Sequence, residues 1–186
     1  MMDTEDLDKA DMQALVNGKH EALDNLMSRH SSKVAGFLFR ILQSTEAEDI
    51  AQDVFLRVFQ YADKYDKRQK FSTWLFTIAS NLAKNHKRWW NRHPADSIGD
   101  FEWEQLASPL SSPSDNATQV ELRHRIKALI QDLPLKLRLP LILAEYEEKS
   151  QVEIAEILGC SVKSVESKLY RARKNLAKNL KNFLKE

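Results

Sequence analysis

FSTWLFTIASNLAKNHKRWWNR, residues 71–92, is the stretch on which the reading of this chain turns. Its periodicity predicts one helix. Ser72 is a good N-cap, and Phe71 before it has the spacing to pack on Phe76 as a hydrophobic staple. At ~100° per residue, Leu75, Ile78, Ala79, Leu82, His86 and Trp89 fall on one side. Trp74, Thr77, Asn81, Lys84, Asn85, Arg88 and Arg92 fall on a second side, which contains no acid. An ordinary wet face mixes both signs of charge. Cations hold phosphates, Asn pairs with base edges and Trp stacks or wedges, so this face suits a polyanion whose bases are within reach. A solvated face beside a core Trp is the plainer reading of the same residues.

Working back from this helix, ADKYDKRQK (62–70) is a polar connector carrying Lys64, Lys67, Arg68 and Lys70, with Tyr61 and Tyr65 nearby. A basic loop beside an Asn-rich basic helix suits an unstacked base. Before it, Thr45 with Glu48 three residues on has the form of a capping box. The helix they would open has Ile50, Ala51, Val54, Phe55, Val58, Phe59 and Ala62 as its apolar residues. Its opposite side carries Asp49, Gln52, Asp53, Leu56, Arg57 and Gln60. An exposed Leu56 among polar residues reads either as a solvated face or as a protein-docking face. Residues 19–43 predict a long amphipathic helix, weakened and open to bending at Ser31, Ser32 and Gly36. Residues 4–16 predict a shorter one with Leu7, Met12, Leu15 and Val16 as its apolar set, ended by Asn17-Gly18.

Working forward, His93-Pro94 ends the helix. Residues 94–118 are rich in Pro, Ser and Asp and read as a linker. A helix over 122–133 follows, with Leu122, Ile126, Leu129, Ile130 and Leu133 as its core face. Pro134 breaks it, and a second apolar helix over 135–147 holds Pro140, which should kink it unless Pro140 falls in the first turn. Ser150 caps a short helix over 151–158 with Glu153 in its first turn. Gly159-Cys160-Ser161 is a turn, and Val162 begins a long helix toward Leu184. Ala155, Gly159 and Val165 have the spacing of a helix-turn-helix: a small residue at the crossing, a left-handed turn and a core Val. The second helix turns Lys163, Ser164, Ser167, Lys168, Arg171 and Lys174 outward, which favours DNA as the ligand.

The net charge of +1 over 186 residues conceals an uneven distribution. Residues 1–24 hold seven acids against Lys9 and Lys19, 94–121 hold six acids and no Lys or Arg, and 163–185 hold eight cations against Glu166. Such asymmetry points to a polyanion met at defined places. Scarce Gly and 30% charged residues favour an all-α chain of one or two domains. No run is apolar for long enough to span a bilayer, and the acidic N-terminus lacks the form of a secretory signal. The single Cys160 suits a reducing cytosol. No catalytic constellation, metal-ligand spacing or cofactor loop is present, so no enzyme activity, metal or cofactor is expected.

The residues AEDIAQDVFLRVF (47–59), FSTWLFTIASNLAKNHKRWWNR (71–92) and LPLKLRLPLILAEYEEKSQVEIAEILGCSVKSVESKLYRARKNL (133–176), taken together, resemble the extracytoplasmic-function group of bacterial RNA polymerase sigma factors. The resemblance implies two helical domains, residues 1–93 and 120–186, joined by an acidic linker, 94–119. It implies that Asp49, Gln52, Asp53, Leu56 and Arg57 dock on the β′ coiled-coil of core RNA polymerase. Lys67, Arg68, Lys70, Trp74, Asn81, Lys84, Asn85 and Arg88 would open and read the promoter −10 element on the non-template strand. Asn81, Lys84 and Asn85 match readout positions, and Trp74 matches the melting aromatic. Lys163, Ser164, Ser167, Lys168, Arg171, Arg173 and Lys174 would bind the −35 element, with the polymerase β flap nearby. The linker would lie in the channel for template and nascent RNA, and an anti-sigma factor is a usual partner. Lys163, Ser164 and Glu166 depart from the residues common in the family, which leaves the −35 sequence open. A stand-alone helix-turn-helix regulator and a sigma-like protein that titrates an anti-sigma factor are the alternatives.

Overall fold

The computed structural model describes residues 3–92 and 117–183. Within them lie eight α-helices and one 3-10 turn: α1 Thr4–Val16, α2 Glu21–Leu42, α3 Ala47–Gln60, the turn Ala62–Lys64, α4 Phe71–Arg92, α5 Ala117–Gln131, α6 Leu135–Glu145, α7 Gln151–Leu158 and α8 Val162–Phe183. No strand occurs among the described residues. Helix α5 starts inside the stretch expected to be linker, and the rest of that stretch lies outside the described residues.

The N-terminal bundle is built on α2, against which α1, α3 and α4 pack. Leu26, Val34, Phe37 and Leu38 are wholly buried, as their helical spacing requires, and Phe37 meets the ring of Phe76 edge-on at 5.1 Å. Helix α2 runs unbroken through Ser31, Ser32 and Gly36 and ends on Gln43, which takes the left-handed conformation at φ 56°. Gly36 lies under the guanidinium of Arg40, where a Cβ would stand 3.0 Å from Nη1. Helix α1 is joined to α2 by charged contacts as well as by the burial of Met12 and Leu15. The buried carboxylate of Asp8 accepts from Arg29 Nε and pairs with His30 Nε2, both at 2.8 Å.

Several expected features take a different form. Helix α4 begins at Phe71, so Ser72 is inside the first turn and not at the cap. Its Oγ instead accepts from Lys149 Nζ at 2.7 Å. The capping box of Thr45 and Glu48 does not form. Glu46 takes the cap position without a side-chain bond, and its own N–H is held by Ser44 Oγ at 3.2 Å. Leu7, Val16, Phe59, Leu122 and Trp89, counted as core by periodicity, are exposed. Each lies at the edge of its apolar stripe or near a helix end, where burial fails first. Pro140 is the sixth residue of α6, beyond the first turn, and the helix continues through it.

In the C-terminal unit, Ile142, Leu143, Ile154, Ile157, Val165 and Ala172 form the buried centre. Ser150 and Glu153 make the expected capping box on α7, and Gly159 ends that helix at φ 64°. Desolvation pushes the Glu153 carboxyl up, but the side-chain and backbone hydrogen bonds of Ser150, then Lys70 and Lys149, outweigh it and hold it at about 2. A carboxylate depressed from 4.5 contributes stability that is complete above about pH 4.5 and is lost as pH falls toward 2. Glu153→Ala is therefore expected to melt below the parent protein at pH 7 and to match it near pH 2. A gap in melting temperature unchanged across that range would contradict this assignment.

The two units touch. Helices α2 and α4 pack on α6 and α7 respectively. The buried Arg138 of α6 donates from Nη1 to the carbonyl of Ile41 in the last turn of α2, at 2.9 Å. Its Nη2 donates to the carbonyls of Leu133 and Gln131 at the end of α5. A cation at two helix C-termini meets the negative ends of both dipoles.

Candidate nucleic-acid interface

Three polar surfaces survive folding. The first is on α3. Burial of Ile50, Ala51, Val54, Phe55 and Val58 leaves Asp49, Gln52, Asp53, Leu56 and Arg57 outside. Leu56 is 52% exposed. It stands among an amide, acids and an Arg, all exposed.

The second surface joins α4 to the connector before it. Leu75 and Ala79 sink into the core, which turns Asn81, Asn85 and Arg88 outward. Trp74 is half-buried, its ring 5.3 Å from Tyr65 and 6.2 Å from Phe71. Tyr65, named in the sequence beside the basic connector, therefore packs against Trp74. Its hydroxyl donates to the Gln69 carbonyl at 2.8 Å. Burial, with Glu5, Asp8 and Asp66, pushes that phenol up to about 12, so it stays a neutral donor. Together the two rings make an aromatic shelf at the start of α4, on the side that carries Asn81 and Asn85 further along. In the connector Lys67 is exposed, and Arg68 is clasped by Asp66 through Nη2 at 2.6 Å. The Arg68 hydrogen bonds hold Asp66 at about 2, so this turn presents a neutralised pair at neutral pH. Lys70 bonds Glu153 of α7 at 3.1 Å.

Lys84 differs from its neighbours. It is half-buried, and desolvation lowers its pKa; Cys160 acts against the shift, while Lys168 and Arg88 act with it. The turn of the helix-turn-helix therefore lies close to this flank of α4. Lys168, half-buried, donates from Nζ to Cys160 Sγ at 3.6 Å.

The third surface is the outer side of α8. Val165, Leu169 and Ala172 face inward, and Lys163, Ser167, Arg171 and Lys174 are exposed on the other side, with Ser164 half-buried. Arg173 turns back to its own domain and holds Glu145 of α6 through Nη2 at 2.7 Å. Tyr170 is 66% exposed between Ser167 and Lys174, with Lys174 Nζ 5.9 Å from its ring centre. Its place in the 163–167–170–174 stripe was visible in the spacing, but a Tyr in a helix is easily counted as core. Lys178 and Lys181 extend the cationic side. Among the described residues no three His, Cys, Asp or Glu side chains gather as a metal site.

Both units resemble known proteins. Residues 26–92 match sigma-70 region 2, and residues 123–176 match sigma-70 region 4. The chain is 31% identical to RNA polymerase sigma-H factor of Pseudomonas aeruginosa, over 98% of each protein. It is 31% identical to ECF RNA polymerase sigma factor SigW of Bacillus subtilis, over 94% of this chain and 97% of that one. Among solved structures it resembles the sigma factor RpoE of Bartonella quintana in complex with the anti-sigma factor NepR. That likeness has a TM-score of 0.66 at 25% identity and covers 85% of this chain and 96% of the other.

Proposed function

The chain belongs to the extracytoplasmic-function (ECF) group of sigma-70 factors, and we propose that its three polar surfaces divide the work of that group between them. As a member it directs promoter-specific transcription initiation with RNA polymerase and is not an enzyme. In our reading residues 1–93 dock on core polymerase through α3 and carry the −10 site on α4. Residues 94–119 link this unit to residues 120–186, whose α8 enters the major groove at −35.

The observation that carries the reading is the Asn face of α4. Asn81 and Asn85 stand exposed, one turn apart, further along α4 than the Tyr65–Trp74 shelf, on a side with no acid. An amide offers a donor and an acceptor together, which suits a base edge. Duplex DNA hides the Watson–Crick edges, so this face gains most from an opened strand. Stacking on an aromatic returns ~1–3 kcal/mol per base against an opening cost of a few kcal/mol. Lys67, Lys84 and Arg88 supply phosphate contacts.

On α8 the assignments separate by geometry. Arg171 and Lys174 are free to reach DNA, whereas Arg173 is engaged by Glu145 and serves the domain first. Arg171→Ala at a base-reading position is expected to cost ~1–3 kcal/mol and to relax one −35 position. Lys174→Ala at a phosphate is expected to weaken matched and scrambled −35 duplexes alike and to reduce the salt slope by ~1. Equal losses on both duplexes for both changes would remove the base-reading role.

The anti-sigma partner is proposed on the likeness to the NepR-bound RpoE. No helix among the described residues is long and apolar enough to cross a membrane, and we place the protein in the cytoplasm, where polymerase works. Run-off transcription with purified core polymerase tests the reading. A sigma factor yields promoter-specific transcripts that depend on core. A stand-alone regulator binds duplex tightly without core, and a titrating mimic binds an anti-sigma factor without initiating.

A further inference from the structure

A group of charges buried between α1 and α2 leads to the aromatic shelf. The side chains of Asp8 and His30 are only 4% and 8% exposed, and His30 Nε2 donates to Asp8 Oδ2 at 2.8 Å. Arg29 Nε takes the other oxygen of Asp8 at 2.8 Å, and its Nη2 takes Asp11 Oδ2 at 2.5 Å. The same His30 ring meets Phe71, with ring centres 5.2 Å apart. Phe71 is wholly buried, and its ring lies 6.1 Å from Tyr65, edge-on, and 6.2 Å from Trp74. Tyr65 and Trp74 meet each other at 5.3 Å. A continuous line of side chains therefore runs from α1 to the shelf, through Asp8, His30 and Phe71. Helix α1 also packs directly on α4 and on the Ala62–Lys64 turn. After burial, Glu5 and Asp8 of α1 act most on the Tyr65 phenol, which places this helix close to that ring.

Stability alone does not account for this arrangement. Taking ions out of water costs about as much as their attraction returns, so apolar residues of like size would hold α1 on α2 as well or better. Apolar burial has no direction, however, and leaves a ring free to slide or turn. Hydrogen bonds to both oxygens of one carboxylate fix direction as well as distance. The bond to Asp8 sets the tautomer and plane of the His30 ring. Rings packed edge-on or tilted have preferred geometries, so the orientation of one constrains the next. Trp74 is half-buried and has no packing on its open side, so its angle is set from beneath.

We infer that Asp8 and His30 are positioning residues for promoter opening: Asp8 holds the His30 ring against Phe71, and Phe71 holds Trp74 and Tyr65 ready for a base. This rests on the proposal that the shelf stacks an opened −10 base. Both residues are buried, so neither touches DNA. Helix α1 thereby takes part in opening without a contact of its own to the strand. Core docking through α3 and base choice through Asn81 and Asn85 lie off this line of side chains and are independent of it.

A double-variant comparison on the full-length protein with core polymerase tests this. Opening is read by permanganate footprinting of −10 thymines, at a temperature where a thermal melt shows each variant folded. Asp8→Asn keeps the shape of the side chain and removes its charge. It should slow opening about threefold to tenfold, within the range of coupling between packed neighbours. Core binding, and base choice on pre-opened templates, should stay at the parent level. His30→Gln keeps an N–H that reaches toward Asp8 and removes the ring from Phe71. It should slow opening to a similar degree, and it carries the test alone if Asp8→Asn does not fold. In a Trp74→Ala background either change should add less than about twofold, because the ring it orients is gone. A role in stability alone would lower the melting temperature and leave opening by the folded protein at the parent rate. Parent-rate opening by folded His30→Gln or Asp8→Asn, or a loss that multiplies in full on top of Trp74→Ala, overturns the inference while leaving the shelf its role. Failure of the −10 reading would look different: Trp74→Ala alone would open DNA at the parent rate, and the inference would fall with it.

Discussion

Leu56→Asp is expected to weaken binding to core polymerase about 30- to 1,000-fold while leaving the melting temperature within a degree or two. Leu56 is 52% exposed on α3, and its backbone helix is held by Ile50, Val54, Phe55 and Val58 beneath, so the substitution adds a charge to the surface without opening the core. In a docked complex the same site becomes the apolar centre of a polar patch. A residue in that position carries ~2–4 kcal/mol, and a buried unpaired carboxylate adds its own desolvation cost. Binding titrations with core check the effect, and a thermal melt checks the fold. Binding within threefold of the parent protein would move the docking surface off α3. Asp53→Ala should fall between the two, because a rim charge mainly alters the association rate.

Trp74→Ala is expected to slow promoter opening about 5- to 150-fold, the range that ~1–3 kcal/mol of lost base stacking allows. The site makes this a two-part effect. Trp74 also packs against Tyr65 and Phe71, so some loss of folding stability accompanies it. Trp74→Tyr keeps a ring on the shelf and should recover most of the opening rate. Permanganate footprinting of thymines in the −10 region measures the open strand in each case. If Trp74→Ala opens DNA as fast as the parent protein at a temperature where it is fully folded, the shelf is only core.

The helices were legible in the sequence because burial in an all-α chain repeats with the helical period. The stripe through Leu26, Val34, Phe37 and Leu38 and the turn at Gly159 both follow from local rules, and both are present. The polar faces were legible for the same reason: what the core does not take is left outside, as with Leu56, Asn81, Asn85 and Lys163. What escaped depends on partners distant in sequence. Ser72 has the chemistry of a cap, but Lys149 claims its hydroxyl from another unit. Thr45 and Glu48 have capping-box spacing, but the turn at Ser44 shifts the helix start. Arg173 looked like one more cation on α8 until Glu145 took it. Tyr65 and Tyr170 are amphipathic, and their side of the boundary is decided by packing. The placement of α7 on α4 is of the same kind, since Lys70 and Glu153 are far apart in the chain and nothing local requires them to meet.

The central claim, that α4 reads an opened strand through Asn81 and Asn85, is tested most directly on promoter templates with a pre-opened −10 region. Asn81→Ala, Asn85→Ala and Trp74→Ala are each combined with core polymerase, and transcripts are counted from templates carrying every base at each −10 position. Pre-opening is expected to restore Trp74→Ala to the parent level, while the two Asn variants still fail to choose among bases although they bind core normally. If pre-opened templates restore base choice in all three variants, Asn81 and Asn85 do not read the strand.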